Sequence, residues 1–506
     1  MALLWPILKT ALANRHKVAV IDDRRRMTYA ELLGGAMFLA ERIDAATSNP
    51  HVGLLLPTSG AGPVAILAAW LARRVAVPFN YLLTKDELAY VIADSGVDTI
   101  VTVGPMIEFL GGAANLPPNI KLLYLEDIDF TGLPPLRWPP CPADDDLAVI
   151  LYTSGTSAKP KGVMLTHGNL HSNVDAALVH AGIRESHIFF GVLPQFHSFG
   201  LTALTLLPLR AGCTTIYTAR FIPKRVVELI RKHKPQIMMA VPSMYAALLT
   251  VKDACAEDFA SVEIAISGGE ALSNAVFEAV RQRLNVQLLE GYGLTETAPI
   301  LNWCTQTRFR RHSVGQSLPE VHIAIVDEAG RVLPPDREGE IFAAGPNIMK
   351  GYYKLPRQTA EVFVELDRDS LGDRQRRPYF RTGDIGKVDA DGYLYITGRK
   401  KEMLKVAGEI VFPREVEEVL NRHPSVRDAA VIGRQDDLRG EVPMAFVEMQ
   451  EGAAFDENAL RTWCRDNLAG FKVPREIQQI DALPRNPTGK ILRRKLTELV
   501  TDSSRG

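Results

Sequence analysis

The sequence predicts an α/β protein: a large N-terminal domain of layered α/β sheets that carries a β-rich subdomain, followed by a small α+β C-terminal domain. Three observations predict it. Through the first three hundred residues, short apolar runs alternate with helical patterns, the signature of layers built on a largely parallel sheet. Over about 311–397 the texture changes to short strands separated by Gly, Pro and Asp turns, such as 327–330 and 389–392. Beyond 402, helical and strand patterns mix again within a hundred residues. At 506 residues the chain is too long for one core. The expected division is 1–398, a hinge at 399–401, and 402–506.

In chain order, 18–21, 52–56 and 99–103 read as buried strands, being short and apolar with β-branched residues. The Pro-rich stretch 133–142 is a surface connection. It leads to the apolar run 147–151, a further buried strand, after which Thr166 is a capping candidate for a helix. Val276, Val280 and Leu284 recur at intervals of four and predict a helix over 271–284. A strand at 286–289 then runs into a glycine-rich loop at 290–297. Pro413 suits the first turn of a helix bearing Val416, Val419 and Leu420. Strands at 429–432 and 445–447 and a helix bearing Leu460, Trp463, Cys464 and Leu468 complete the C-terminal domain.

Composition excludes several functions. A net charge of −1 with no long basic tract argues against a nucleic-acid partner. The five cysteines are far apart, with no CxxC pair or His cluster at metal-ligand spacing, which argues against structural zinc and fits a reducing cytoplasm. The apolar start at 1–8 lacks a preceding basic segment, is broken by Pro6 and soon meets Lys9, so it does not read as a secretion signal. No run reaches the roughly 20 apolar residues of a bilayer span, which leaves only peripheral membrane contact open.

The residues most suggestive of chemistry follow the 147–151 strand. Tyr152-Thr153-Ser154-Gly155-Thr156-Ser157-Ala158-Lys159-Pro160-Lys161-Gly162 packs hydroxyls, glycines and two lysines into one loop. Gly155 permits close backbone approach, the hydroxyls donate hydrogen bonds, and Lys159 and Lys161 place charge on phosphate oxygens. The spacing is not that of the Walker loop. A solvated Ser/Thr/Gly turn has the same composition, so the surrounding pattern has to decide.

That pattern is Gly291-Tyr292-Gly293-Leu294-Thr295-Glu296, Arg381-Thr382-Gly383-Asp384, Gly398-Arg399 and Pro487-Thr488-Gly489-Lys490, following the first loop in order. Nearly the whole chain thereby resembles the adenylate-forming superfamily of acyl-CoA synthetases, luciferases and nonribosomal-peptide adenylation domains. The resemblance implies formation of an acyl-adenylate from a carboxylic acid and MgATP, then transfer of the acyl group to a thiol. It assigns Thr153, Ser154, Gly155, Thr156, Ser157, Lys159 and Lys161 to the β- and γ-phosphates. Ala158 departs from the glycine common in the family, which stiffens the loop. Gly268, Gly269 and Glu270, with Glu290, Gly291 and Gly293, fall on the adenine side. Tyr292 would pack against adenine, Thr295 would bond the α-phosphate, and Glu296 would bind Mg2+. Asp384 would accept the ribose hydroxyls, with Arg399 assisting.

Lys490 is the implied adenylating residue, an ammonium between the attacking carboxylate and the α-phosphate. At a dielectric typical of a protein surface such a charge contributes about 4 kcal/mol, about a thousandfold in rate. The resemblance also implies that the C-terminal domain is mobile. It would rotate about Lys401 so that the loop with Lys405 and Gly408 replaces Lys490 and lines the thiol tunnel. His197 would gate the acyl and thiol passages, and His197, Ser243 and Gly291 would line the acyl pocket. No aspartate stands where amino-acid-activating relatives hold the substrate amine, which favours an uncharged acyl chain, a fatty acid. The implied cofactors are ATP, Mg2+ and CoA. The loop at 405–411 is also similar to that of acyl-acyl-carrier-protein synthetases, so acyl carrier protein is the alternative acceptor. A nucleotide-binding scaffold without catalysis, and an oxygenase of luciferase type, are the competing readings.

Overall fold

The computed structural model describes residues 2–153, 159–366, 378–406, 409–436, 440–485 and 491–503. Among these, two large sheets dominate the N-terminal part. In one, the strands Lys121–Tyr124, Thr99–Thr102, His51–Leu55, Val75–Pro78 and Leu147–Thr153 run parallel in that spatial order. The antiparallel Lys161–Thr166 and Gly351–Tyr352 close that edge. The other has a parallel centre of Val18–Ile21, Thr214–Tyr217, Ile188–Gly191, Ile237–Ala240, Ile264–Ser267 and Leu288–Gly293. Its antiparallel edges are Arg26–Thr28 on one side and Ile300–Trp303 with Gln316–Ser317 on the other.

Local rules explain the helices between these strands. Ala61–Leu71 is apolar on all sides, which suits a helix buried all round, and Trp70 donates its indole N–H to the Ala148 carbonyl of Leu147–Thr153. Tyr29–Ala46 and Lys85–Ser95 begin with reciprocal capping boxes, Thr28 with Glu31 and Thr84 with Glu87. Thr166 caps His167–Ala181 as its position in the sequence suggests, through Asn169, and Gly182 ends that helix in the left-handed conformation. One apolar core, including Leu39, Val149, Leu204 and Trp303, runs through the space between the sheets.

The β-rich texture becomes an antiparallel sheet of His322–Val326, Gly339–Ala344, Phe363–Val364, Tyr379–Val388 and Leu394–Arg399. It starts later than residue 311, because Gln316–Ser317 pairs with Ile300–Trp303 and so belongs to the large sheet. The C-terminal sheet comprises Leu404–Val406, Glu409–Val411, Val426–Asp436, Gly440–Met449 and Glu476–Gln479. The helices Pro413–Leu420 and Glu457–Asn467 pack into one apolar cluster with it, while Leu496 of Arg493–Ser503 joins a second. Among the described residues no helix is long and apolar enough to cross a membrane.

Candidate active site

In an open α/β sheet, ligands sit outside the carboxyl ends of parallel strands. The segments with His197, Ser243, Gly268 to Glu270 and Gly291 follow or end the neighbouring strands Ile188–Gly191, Ile237–Ala240, Ile264–Ser267 and Leu288–Gly293. Thr153 ends the parallel strand Leu147–Thr153 of the other sheet. The topology thus gathers at one edge residues that are scattered in sequence.

The strands that flank the expected phosphate loop are antiparallel neighbours: Thr153 pairs with Lys161 and Tyr152 with Gly162. Ser154, Gly155, Thr156, Ser157 and Ala158 lie outside the described residues. Lys159 holds its ammonium 5.0 Å from the centre of the Tyr90 ring, and Lys161 is 5.0 Å from that of Tyr352. The Tyr352 hydroxyl donates to Glu296 Oε1 at 2.9 Å. Backbone bonds from Tyr353 to Gly162 and from Met349 to Glu296 stitch this strand between Lys161–Thr166 and the glutamate. Sequence reasoning missed Tyr352. Its only signal was the aromatic pair Tyr352-Tyr353 in a turn-rich stretch.

The expected glycine-rich loop at 290–297 is largely strand. Leu288–Gly293 continues through the glycines and turns back at Thr295–Thr297 into Ile300–Trp303. Glycine is required by close approach there: a Cβ on Gly293 would lie 1.8 Å from the Pro299 carbonyl oxygen. The turn places Thr295 Oγ1 3.2 Å from Ser198 Oγ, joining it to the His197 segment. His197 caps Ser198–Leu201, its Nδ1 accepting from the Phe199 N–H, which leaves the proton of a neutral ring on Nε2. Ser243 lies in the first turn of Pro242–Leu248, partly buried. Gly269 takes a positive φ of 82°, and a Cβ on Gly268 would meet the Phe199 ring at 3.2 Å.

The nucleotide-side residues form one charged cluster. Asp384, buried on Tyr379–Val388, accepts from the Tyr292 hydroxyl at 2.6 Å and pairs with Arg399 Nε at 3.1 Å. Arg399 is its cross-strand partner, which fixes the geometry. Tyr292 is therefore held on the carboxylate expected to meet ribose, and its phenol is pushed well up by burial and the Asp384 charge. Beside it, Glu340 binds both Arg381 and Lys400. Burial raises the Glu296 carboxyl, while Tyr352 and Arg399 oppose that rise. Glu290 is pushed up to about 7 by burial, opposed by Arg311 at 2.8 Å and by Arg414 of Pro413–Leu420.

Among the described residues no group of three or more His, Cys, Asp or Glu side chains could hold a metal ion. One half-buried carboxylate, Glu296, suits Mg2+ that keeps its waters and shares phosphate oxygens. Lys490 and Gly408 lie outside the described residues. Lys405 is exposed on Leu404–Val406, its backbone N–H donating to Glu441, and Lys401 is exposed in the turn after Arg399. Arg493 is half-buried. It bonds Glu402, Glu417 and the Val431 carbonyl.

Two family models match the chain: the AMP-binding enzyme over residues 8–353 and the AMP-binding enzyme C-terminal domain over 415–490. A long-chain-fatty-acid–CoA ligase of Bacillus subtilis (strain 168) is 30% identical over 535 aligned positions, covering 96% of this chain and 92% of that protein. A feruloyl-CoA synthase of an Amycolatopsis species is 32% identical over 494, covering 97% of each. The o-succinylbenzoate coenzyme A synthetase of Bacillus subtilis, solved in complex with ATP and magnesium ion, superposes with a TM-score of 0.82 at 27% identity, covering 97% of this chain and 99% of that one. The chain belongs to the AMP-binding enzyme family of adenylate-forming ligases.

Proposed function

We propose that the chain joins a fatty acid to CoA through an acyl-AMP intermediate, consuming ATP with Mg2+ and releasing pyrophosphate and AMP. The observation that supports this reading is the continuous cluster Lys161, Tyr352, Glu296, Arg399, Asp384 and Tyr292, which brings together a cation suited to phosphate and two carboxylates suited to a metal ion and to ribose. Mg2+ on Glu296 would supply charge neutralisation at the phosphates.

The chain's own residues do the rest. Asp384, oriented by Arg399 and Tyr292, exchanges those partners for the two ribose hydroxyls. Thr295, held by Ser198, donates to the α-phosphate. A carboxylate oxygen attacks the α-phosphorus, and pyrophosphate departs toward Lys159 and Lys161. In the second step the thiolate of CoA attacks the acyl carbonyl and AMP leaves. Lys490 serves the first step by its resemblance to family members, and Lys405 with Gly408 the second.

The test is incubation with ATP, Mg2+ and fatty acids, following pyrophosphate and then thioester with CoA or with acyl carrier protein. Pyrophosphate release and acyl-CoA are expected. No release with any acid sinks the enzyme reading in favour of a scaffold, and thioester on carrier protein alone overturns the choice of acceptor.

A further inference from the structure

Behind Gly291 lies a cavity of about 320 Å³ that the nucleotide cluster does not use. Its inner lining includes the buried Ile266, Leu289 and Trp303, and its mouth opens to solvent between Val179 and the polar side chains Arg184, Glu263 and Gln306. Trp303 is among the largest fully buried side chains, 2% exposed. It is the direct cross-strand partner of Gly291, so both project from the same face of the sheet. A Cβ on Gly291 would lie 3.3 Å from Trp303 Cβ and 3.5 Å from Ile266 Cγ2. Ile266 and Trp303 therefore touch both the backbone of Gly291 and the cavity, and form the partition between them.

The partition has a second mark. The Trp303 indole N–H is buried with no hydrogen-bond partner. The Trp303 carbonyl is meanwhile tied to His180 Nε2 at 3.0 Å, anchoring the residue to the end of His167–Ala181.

We propose that Trp303 is the end wall of the acyl subsite and restricts the enzyme to short-chain fatty acids by closing it off from the 320 Å³ cavity. This rests on the reading of the chain as an acyl-adenylating ligase whose acid lies along Gly291. Trimming the indole joins cavity to subsite, and a longer chain then gains buried methylenes at about fourfold in kcat/KM each.

The experiment measures kcat/KM across straight-chain acids from butanoate to hexadecanoate for the wild type, Trp303→Ala and Trp303→Phe. Trp303→Phe keeps an aromatic ring in the core and remains informative should the alanine variant not fold. The expected result is a wild-type optimum at short chains, moved to longer chains in Trp303→Ala and by less in Trp303→Phe, with KM for ATP and CoA unchanged. Turnover with an unmoved optimum in both variants, or a wild type that already prefers hexadecanoate, overturns the wall alone. Absence of turnover with every acid overturns the ligase reading and the wall with it.

Discussion

Glu290 shows how one buried carboxyl ties the nucleotide site to stability. It stands on Leu288–Gly293 with Arg311 as its ion-pair partner, and Arg414 and Glu418 of Pro413–Leu420 are the other charges that act on it. Burial outweighs the arginines and raises its pKa from 4.5 to about 7. A raised acid pKa means that the folded state binds the proton more tightly than the unfolded chain. Its stabilising contribution is therefore whole below about 4.5 and is lost as pH rises through about 7. Glu290→Gln cannot titrate yet still offers Arg311 an acceptor. The variant should gain stability relative to the wild type across that window, by an amount of order 3 kcal/mol. Thermal melts in parallel at acidic and mildly alkaline pH check this, and a pH-independent difference between the two proteins would contradict it.

At the scale of elements, the proposed hinge at 399–401 has the clearest consequence. Leu394–Arg399 ends in a tight turn, with Glu402 N–H donating to the Arg399 carbonyl and Lys400 N–H to that of Gly383. Lys401 occupies the turn between the ribose-side strand and the C-terminal sheet. Proline there fixes φ and should leave acyl-AMP formation intact while slowing thioester formation at least tenfold, read by single-turnover assays of each half-reaction. Equal rates of thioester formation in Lys401→Pro and wild type would remove the hinge assignment. Elements with strong periodicity were legible in advance: the helix at Asn274–Leu284, the strand Leu147–Thr153 and the helix at Pro413–Leu420 stand where their patterns put them. Lys161–Thr166 was not, because its lysine and glycine disguise a short strand next to the sheet edge. Glu290 to Gly293 were hidden for a related reason: the glycines signal a loop, yet serve close packing against Pro299 and Trp303. Of the site, the motif residues Asp384, Glu296 and Tyr292 were legible through resemblance. The contacts of Tyr352 with Glu296, Ser198 with Thr295 and Arg311 with Glu290 were not, since they join residues 56, 97 and 21 positions apart and no local pattern encodes them.

Across the whole molecule, the cluster draws on both large sheets and the antiparallel sheet. Among the described residues of the C-terminal part, Arg414 donates to the Ile396 carbonyl, and Glu402, bound by Arg493, acts on Arg399. Polar contacts of this kind can be exchanged, as the proposed rotation between two half-reactions requires. The central claim is that the acid is activated as a mixed anhydride with AMP. It is tested most directly by supplying a fatty acid labelled with heavy oxygen in its carboxylate, together with ATP, Mg2+ and CoA, and locating the label by mass spectrometry. One labelled oxygen should appear in AMP and none in pyrophosphate. Thioester formed with label in phosphate, or with unlabelled AMP, would contradict the account.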